Sequence, residues 1–290
     1  MAITGDGTSA SPYVVHTWGE LVEAVTLEKK QNEGNYVKLG NDITAPDEDV
    51  KLSSSTASSI DGDGYAIINL YSATSAIEFS NPANFTPSKP TVKNMLFKNV
   101  EFRGTYFINY KSKGGGNTMA YLTNCSIAGT FGGGSIVHLN NSEYVRRMYI
   151  DKLALNVEAT GSSFKINDNI TLWGDNNTPT FTNGNIKIDY INCSPTNLFN
   201  GGPSSLVRDS LFDLHFEGAS GVLNFNAQAT NCIIIGKGTG IKVPYCNAIS
   251  FVESTIPLDN TSAALVENAD TIDIKSAQYL HNKGFPIGVD

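Results

Sequence analysis

Arginine is nearly missing from this chain. Only Arg103, Arg146, Arg147 and Arg208 stand among 20 basic residues, against 28 acidic ones, for a formal charge of −8. Nucleic-acid binders draw most of their affinity from cationic contacts to phosphate, usually as a basic stripe. No such stripe exists here, so no nucleic-acid partner is expected. Long apolar runs are missing as well: stretches such as Cys232 to Ile235 fall far short of the ~20 residues that span a bilayer. Membrane insertion is therefore not expected. The opening Met1-Ala2-Ile3-Thr4-Gly5-Asp6-Gly7 has neither a basic nor an apolar leader region, so no signal peptide is expected. Cysteine is sparse. Cys125, Cys193, Cys232 and Cys246 are widely spaced, without a Cys-x-x-Cys pair, and read as four free, buried thiols. Three of them directly follow asparagine, which suggests one shared structural position. His16, His138, His215 and His281 show none of the close spacings of zinc sites, so neither a metal nor a cofactor is expected.

Asparagine and glycine, by contrast, are abundant. The 290 residues include 30 asparagines and 27 glycines, about a fifth of the chain in types that favour tight turns and left-handed backbone. That bias points to many short elements joined by corners.

The first 45 residues differ from the rest. Pro12-Tyr13-Val14-Val15 reads as a short strand. Thr17-Trp18-Gly19-Glu20 fits a capping box, and Leu21, Val22, Ala24, Val25 and Leu27 give an apolar face. The pattern predicts one amphipathic helix over 18–30, followed by a strand at Tyr36-Val37-Lys38-Leu39.

Beyond residue 60 a local pattern recurs: Asn or Asp, apolar, any, apolar, any, Gly. It occurs at Asn99, Asn124, Asn169, Asp213 and Asn231, with weaker copies at Lys152, Asn192, Glu253 and Thr271. Apolar positions two apart face one side of a strand, and no repeat holds a stretch of helical period. Irregular spacing with a fixed local pattern indicates a solenoid of stacked strands. In this register Val100, Cys125, Leu153, Ile170, Cys193, Leu214 and Cys232 form one inward column, and the glycines turn corners.

The fold class expected is all-β, a right-handed parallel β-helix with a short N-terminal capping helix. The coil pattern and the segment Ile60-Asp61-Gly62-Asp63-Gly64-Tyr65-Ala66-Ile67 resemble β-helices of the pectate-lyase-like group. The opening, Gly7 to Tyr13 with Thr17-Trp18 and Tyr36 to Ile43, is similar to the first cap of bacterial and phage surface β-helix proteins. The ending, Ala277 to Leu280 and Gly284 to Ile287, resembles their exit segment. One structural domain is expected: an N-terminal cap over 1–45, coils over 46–275 and a C-terminal cap over 276–290. Caps shield the open sheet edge that a solenoid end would otherwise present. The resemblance further implies work outside cells and homotrimer formation.

Hydrolases on such a scaffold need adjacent carboxylates, one to protonate the leaving oxygen and one to activate water. Lyases need a base, usually with carboxylate-bound calcium. No two acids adjoin in the outward repeat positions, and the paired motifs of polygalacturonase-like enzymes are absent. The weak catalytic candidates are therefore Asp61 and Asp63, whose Asp-Gly-Asp-Gly setting also suits a plain turn. Asp213, His215 and Glu217 alternate with Leu214 and Phe216 along one strand face, which suits either an acid–base row or a solvated surface. The triple glycines 114–116 and 132–134 lack the ending of a phosphate loop.

Aromatic residues mark the candidate binding surface: Tyr144 and Tyr149 around Arg146 and Arg147, together with Trp173. Rings near amides stack on sugars, and rings near arginine anchor interfaces. The sequence thus leads to a non-enzymatic virion protein, a tail or capsid appendage or decoration subunit. Its expected partners are other virion proteins and a host surface glycan, and such a protein reaches the exterior by assembly and lysis. The rivals are a polysaccharide depolymerase and a bacterial surface adhesin.

Overall fold

The computed structural model describes residues 3–27, 34–54, 57–81, 90–112, 118–141, 146–169, 180–200, 205–219, 222–237, 240–242 and 245–252. Its architecture is a parallel β-solenoid, consistent with a right-handed β-helix, with one short helix. Among the described residues every pairing between strands is parallel, and strands bond strands one coil away.

Each complete coil shows three faces. The first face stacks Tyr13–Val15, Asn35–Leu39, Ala57–Asp61, Thr91–Lys93 and their successors up to Tyr245–Val252. The second carries Leu96–Phe102, Asn185–Ile191 and Leu211–Glu217. The third stacks Leu52–Ser54, Ile77–Asn81, Tyr106–Ser112, Ser135–Asn141, Lys165–Asn169 and Phe199–Asn200. In four of the described coils one long strand crosses the first corner unbroken: Thr118–Phe131, Arg146–Ala159, Gln228–Lys237 and Tyr245–Val252.

The first corner keeps one backbone conformation through five successive coils. Asn94, Asn124, Lys152, Asn183 and Asp209 occupy it with φ of 51°, 52°, 53°, 54° and 50°. Asparagine and aspartate tolerate this left-handed conformation because a short polar side chain bonds locally. Successive corner residues lie 30, 28, 31 and 26 positions apart, as the numbers 94, 124, 152, 183 and 209 give by subtraction. The coil is thus longer than the spacing of the sequence pattern, because that pattern marks different strands of one coil.

The single inward column expected from sequence is accordingly divided. Cys125 pairs Leu153, and the same column continues through Gly184 and Ser210 to Cys232. Val100 and Leu214 belong to a second column with Gly129, Val157 and Ile188. Cys193 follows Asn192, whose φ is 50°, at another corner. Asn124-Cys125 and Asn192-Cys193 share a left-handed asparagine followed by a buried thiol at different corners, whereas Cys232 shares its place in the coil with Cys125. Ile170 lies outside the described residues. Gly129 is not a corner either. It sits within a strand at φ 155°, opposite a bulge in Leu96–Phe102, and a Cβ there would stand 2.1 Å from the Val100 carbonyl oxygen.

The helix spans Trp18–Ala24, shorter than the sequence pattern suggests. Its Thr17 hydroxyl accepts from the Glu20 amide at 3.2 Å, while the Glu20 carboxylate accepts from the His16 amide at 2.7 Å. Beyond Ala24, the Thr26 hydroxyl bonds back to the Val22 and Glu23 carbonyls, competing with helical hydrogen bonds as the chain turns away. Leu21, Ala24 and Val25 are buried, whereas Val22 faces solvent. The helix packs on Tyr13–Val15 and Asn35–Leu39, and Thr4 closes the free edge of the first of these through an antiparallel bridge to Val14. The ladder runs through residue 45 without interruption, since Ile43–Thr44 pairs Ile67 and Ile68 in the next coil. The segment 276–290 lies outside the described residues.

The interior is a ladder of rings. Phe102, Phe131, Ala159, Tyr190 and Phe216 share one column, and the small Ala159 would leave a gap. Phe164 fills it from beyond the corner, with centroids 5.5 Å from Phe131 and 6.3 Å from Tyr190. A second cluster joins Phe181, Phe199, Phe212 and Phe225.

Two predictions follow from this packing. Phe164→Ala should cost about 3–5 kcal/mol in chemical denaturation, against under about 0.5 kcal/mol for exposed Tyr65→Ala. Cys125, Cys193 and Cys232 are buried and form no disulfide, with burial pushing the Cys125 thiol up to about 12. The native protein should therefore leave them unlabelled by a thiol reagent at pH 8, with labelling on addition of denaturant; rapid native labelling would contradict their placement.

Candidate functional site

Ionisable side chains on the outer faces are mostly paired with one another. Asp61 ends the strand Ala57–Asp61 and accepts from the Asp63 amide at 2.9 Å, a local turn that places Asp63 at φ 51°. The two carboxylates do not work side by side. Lys93 lies 3.0 Å from Asp61 and Lys38 2.9 Å from Asp63. Burial tends to raise the Asp61 pKa, but the Asp63 amide, the Asn94 amide and Lys93 outweigh it and hold it below the usual carboxylate range.

Asp213 and His215 do share an outward strand face, and Asp189 from the adjacent coil joins them. The imidazole has Nδ1 3.0 Å from Asp189 and Nε2 2.9 Å from Asp213. The second contact is close but poorly aligned, because Asp213 Oδ1 is buried and makes no hydrogen bond. Asp189 also lies 3.7 Å from Lys187. Glu217 pairs Ile191 in the ladder at the exposed end of the strand, two residues beyond His215. Sequence spacing could place Asp213 with His215, but not Asp189, which is 26 residues away from His215 and arrives only through coil register.

A second polar row, not singled out from sequence, lies along the third face. Ser53, Glu78, Asn109, His138, Asp168 and Asn200 pair from coil to coil. Glu78 takes Lys111 at 2.7 Å and Lys51 at 3.1 Å. These cations overcome the opposing effect of burial and lower its pKa. The His138 Nδ1–H donates to the Asp168 carbonyl, and the Tyr106 ring stacks on the imidazole at 3.8 Å. Burial lowers the His138 pKa, so the ring is held neutral. The only sequence signal for this row was the unremarkable alternation of strands a full coil apart.

The binding residues divide. Tyr149 faces outward and stacks on Tyr121 of the preceding coil, centroids 5.0 Å apart and planes 13° from parallel. Arg146 and Arg147 lie on the same strand, in register with Thr118 and Met119. Tyr144 and Trp173 lie outside the described residues. Tyr121 was missed because its partner is 28 positions away. Tyr110, which flanks the same strand as Tyr106, points inward and stacks on Phe79.

The concave feature best placed for a ligand follows the first corner. Gly64, Asn94, Leu96, Asn124, Ser126, Lys152, Ala154, Asn183 and Asn185 are among the residues lining a groove of about 290 Å³ that runs across successive coils. Its amides are chained. Asn124 donates to Asn94 Oδ1 at 2.9 Å, and Asn94 donates to Asp61 Oδ1 at 3.0 Å. Further along, Asn183 and Thr182 both donate to Asp151 Oδ1 at 2.7 Å. Such bonds fix which amide atoms remain free for a ligand. Among the described residues, no group of three or more His, Cys, Asp or Glu is arranged to hold a metal ion.

No family model matches the sequence, and no curated protein matches it. Among solved structures, the chain is similar to one from Bacteroides ovatus described as a "putative immunoglobulin A1 protease". The identity is 18%, with 96% of this chain and 88% of that chain covered, at a TM-score of 0.49.

The buried imidazole makes a pH prediction. A histidine whose pKa is lower folded than unfolded takes up protons on unfolding, so its stabilising contribution is intact above its unfolded pKa and lost as pH falls below it. The melting temperature should fall between pH 7 and pH 5, and His138→Gln should flatten that slope. An unchanged slope in the variant would show that the ring titrates freely.

Proposed function

We propose that this β-helix is a non-enzymatic binding rod, a structural appendage or decoration subunit of a phage particle that contacts host surface glycans. The observation that carries the glycan reading is the corner groove. It is continuous over several coils and combines oriented amides with apolar surface, which suits the repeating hydroxyls and ring faces of a sugar chain. The Tyr121–Tyr149 pair stands on the adjoining first face and offers ring surface beside it. The virion setting and a trimeric assembly rest on the resemblance of the opening and coil residues to phage and bacterial surface β-helices.

The state of the carboxylates supports binding over cleavage. A general acid needs a raised pKa to hold its proton at neutral pH. Among the described residues, the carboxylates whose pKa is shifted, Glu20, Asp61 and Glu78, are all shifted downward by hydrogen bonds or cations. They stay ionised, as stabilising ion pairs do. The rival depolymerase reading would draw on Asp189, His215 and Asp213, the one place among the described residues where an imidazole meets two carboxylates.

Both readings answer to one experiment. Purified protein incubated with capsular polysaccharide should be retained on the polymer without releasing reducing ends or unsaturated sugars. Sustained release that is lost in His215→Gln would favour the depolymerase, and failure to bind any host polysaccharide would remove the glycan role.

A further inference from the structure

The corner column contains one residue of the wrong kind. Asn94, Asn124, Asn183 and Asp209 are short and polar, as a left-handed corner prefers, but Lys152 adopts φ 53° with a long side chain. Backbone strain of this kind persists where the surroundings impose it, and it concentrates at functional sites. Its effect on the amide chain is visible. The relay from Asn124 through Asn94 to Asp61 stops at Asn124, whose Oδ1 has no hydrogen bond among the described residues. An asparagine at 152 would be placed to donate to that oxygen. The relay begins again only at Asn183 and Asp151.

Lys152 also differs in charge from the paired lysines of the outer faces. Lys38, Lys51, Lys93, Lys111, Lys165 and Lys187 each lie within 2.7 to 3.7 Å of a carboxylate. Lys152 is exposed and, like Lys98 and Arg208, has no ion pair among the described residues, but of these three it alone lines the groove. The nearest acid in sequence, Asp151, accepts from Thr182 and Asn183 instead. An unneutralised ammonium therefore lines the groove, next to a floor of small side chains, Ser126 and Ala154, that admits a ligand close to the backbone. With a formal charge of −8, the molecule as a whole repels polyanions, so anion binding here requires a local cationic contact.

We propose that the corner groove takes an acidic glycan, with Lys152 pairing a carboxylate or sulfate of the sugar chain. Asn124 Oδ1 and Asn183 Oδ1 accept from its hydroxyls on either side. This rests on the glycan reading above and adds a ligand class to it. A charge-assisted contact at one position and neutral hydrogen bonds around it give preference for acidic over neutral polymers.

The test compares retention of the full chain on alginate, dextran sulfate and neutral dextran. The wild type should bind at least one acidic polymer about tenfold or more tightly than dextran, a difference that added salt reduces. Alginate and dextran sulfate distinguish carboxylate from sulfate as the group recognised. Lys152→Asn should abolish the preference while keeping or raising the melting temperature, because asparagine suits the corner. Lys152→Arg should retain the preference, and Lys98→Gln, an exposed lysine on the second face, should not alter it. Should Lys152→Asn fail to fold, Lys152→Gln removes the charge and keeps the aliphatic stem. An acidic preference that survives loss of the Lys152 charge overturns the inference, as does equal binding of acidic and neutral polymers; both leave the glycan reading standing. Absence of binding to these polymers and to every host polysaccharide overturns both.

Discussion

Coil-on-coil hydrogen bonding is the constraint from which the other features follow. Strands inside the stack satisfy their backbone by pairing with strands one coil before and one coil after, at a separation of about 4.8 Å. A corner that drifted from coil to coil would break that register. The first corner is held by residues in one conformation, φ 50° to 54° from Asn94 to Asp209. Short polar side chains hold this geometry at little steric cost, and stacked amides bond one another along the axis, as Asn124 does to Asn94 and Asn99 to Asn69. The asparagine content of the chain therefore has a mechanical reason.

Inside the coils, side-chain volume is adjusted across corners rather than along the sequence. Space left by a small side chain in one column is filled from another: Ala159 opens the ring ladder and Phe164 closes it. The bulge around Asn99 is accommodated by Gly129, which lacks the Cβ that would meet Val100. Interiors are packed densely enough that such compensation is required. The expected loss for Phe164→Ala follows from this, because no neighbouring ring is free to move into the vacated place.

The outer faces combine two kinds of surface. Asp61 and Glu78 are committed to lysines and amides, which outweigh burial and hold both carboxyls below the usual range. The groove beside the first corner is different: its amides are oriented by the relay, and Lys152 interrupts that relay at the cost of an unfavoured backbone conformation. The same structural element that holds the coils in register thereby supplies the surface proposed for binding.

Strand class, solenoid repetition and the capped N-terminal helix were legible in the chain because they depend on local rules: period-two apolar alternation, left-handed asparagine and a Thr–Glu cap. The adjacent pair Asp213 and His215 was legible for the same reason. Coil length was not, because the recurring motif reports the conformation of a corner or strand and is used more than once per turn. Nor were the contacts of Asp189 with His215, Tyr121 with Tyr149, or His138 with Asp168, whose partners stand some 26 to 30 residues apart. Local sequence determines how each residue turns or extends the backbone. Which side chains become neighbours depends on the number of residues spent in each coil, and that number is set by the three-dimensional closure of the turn.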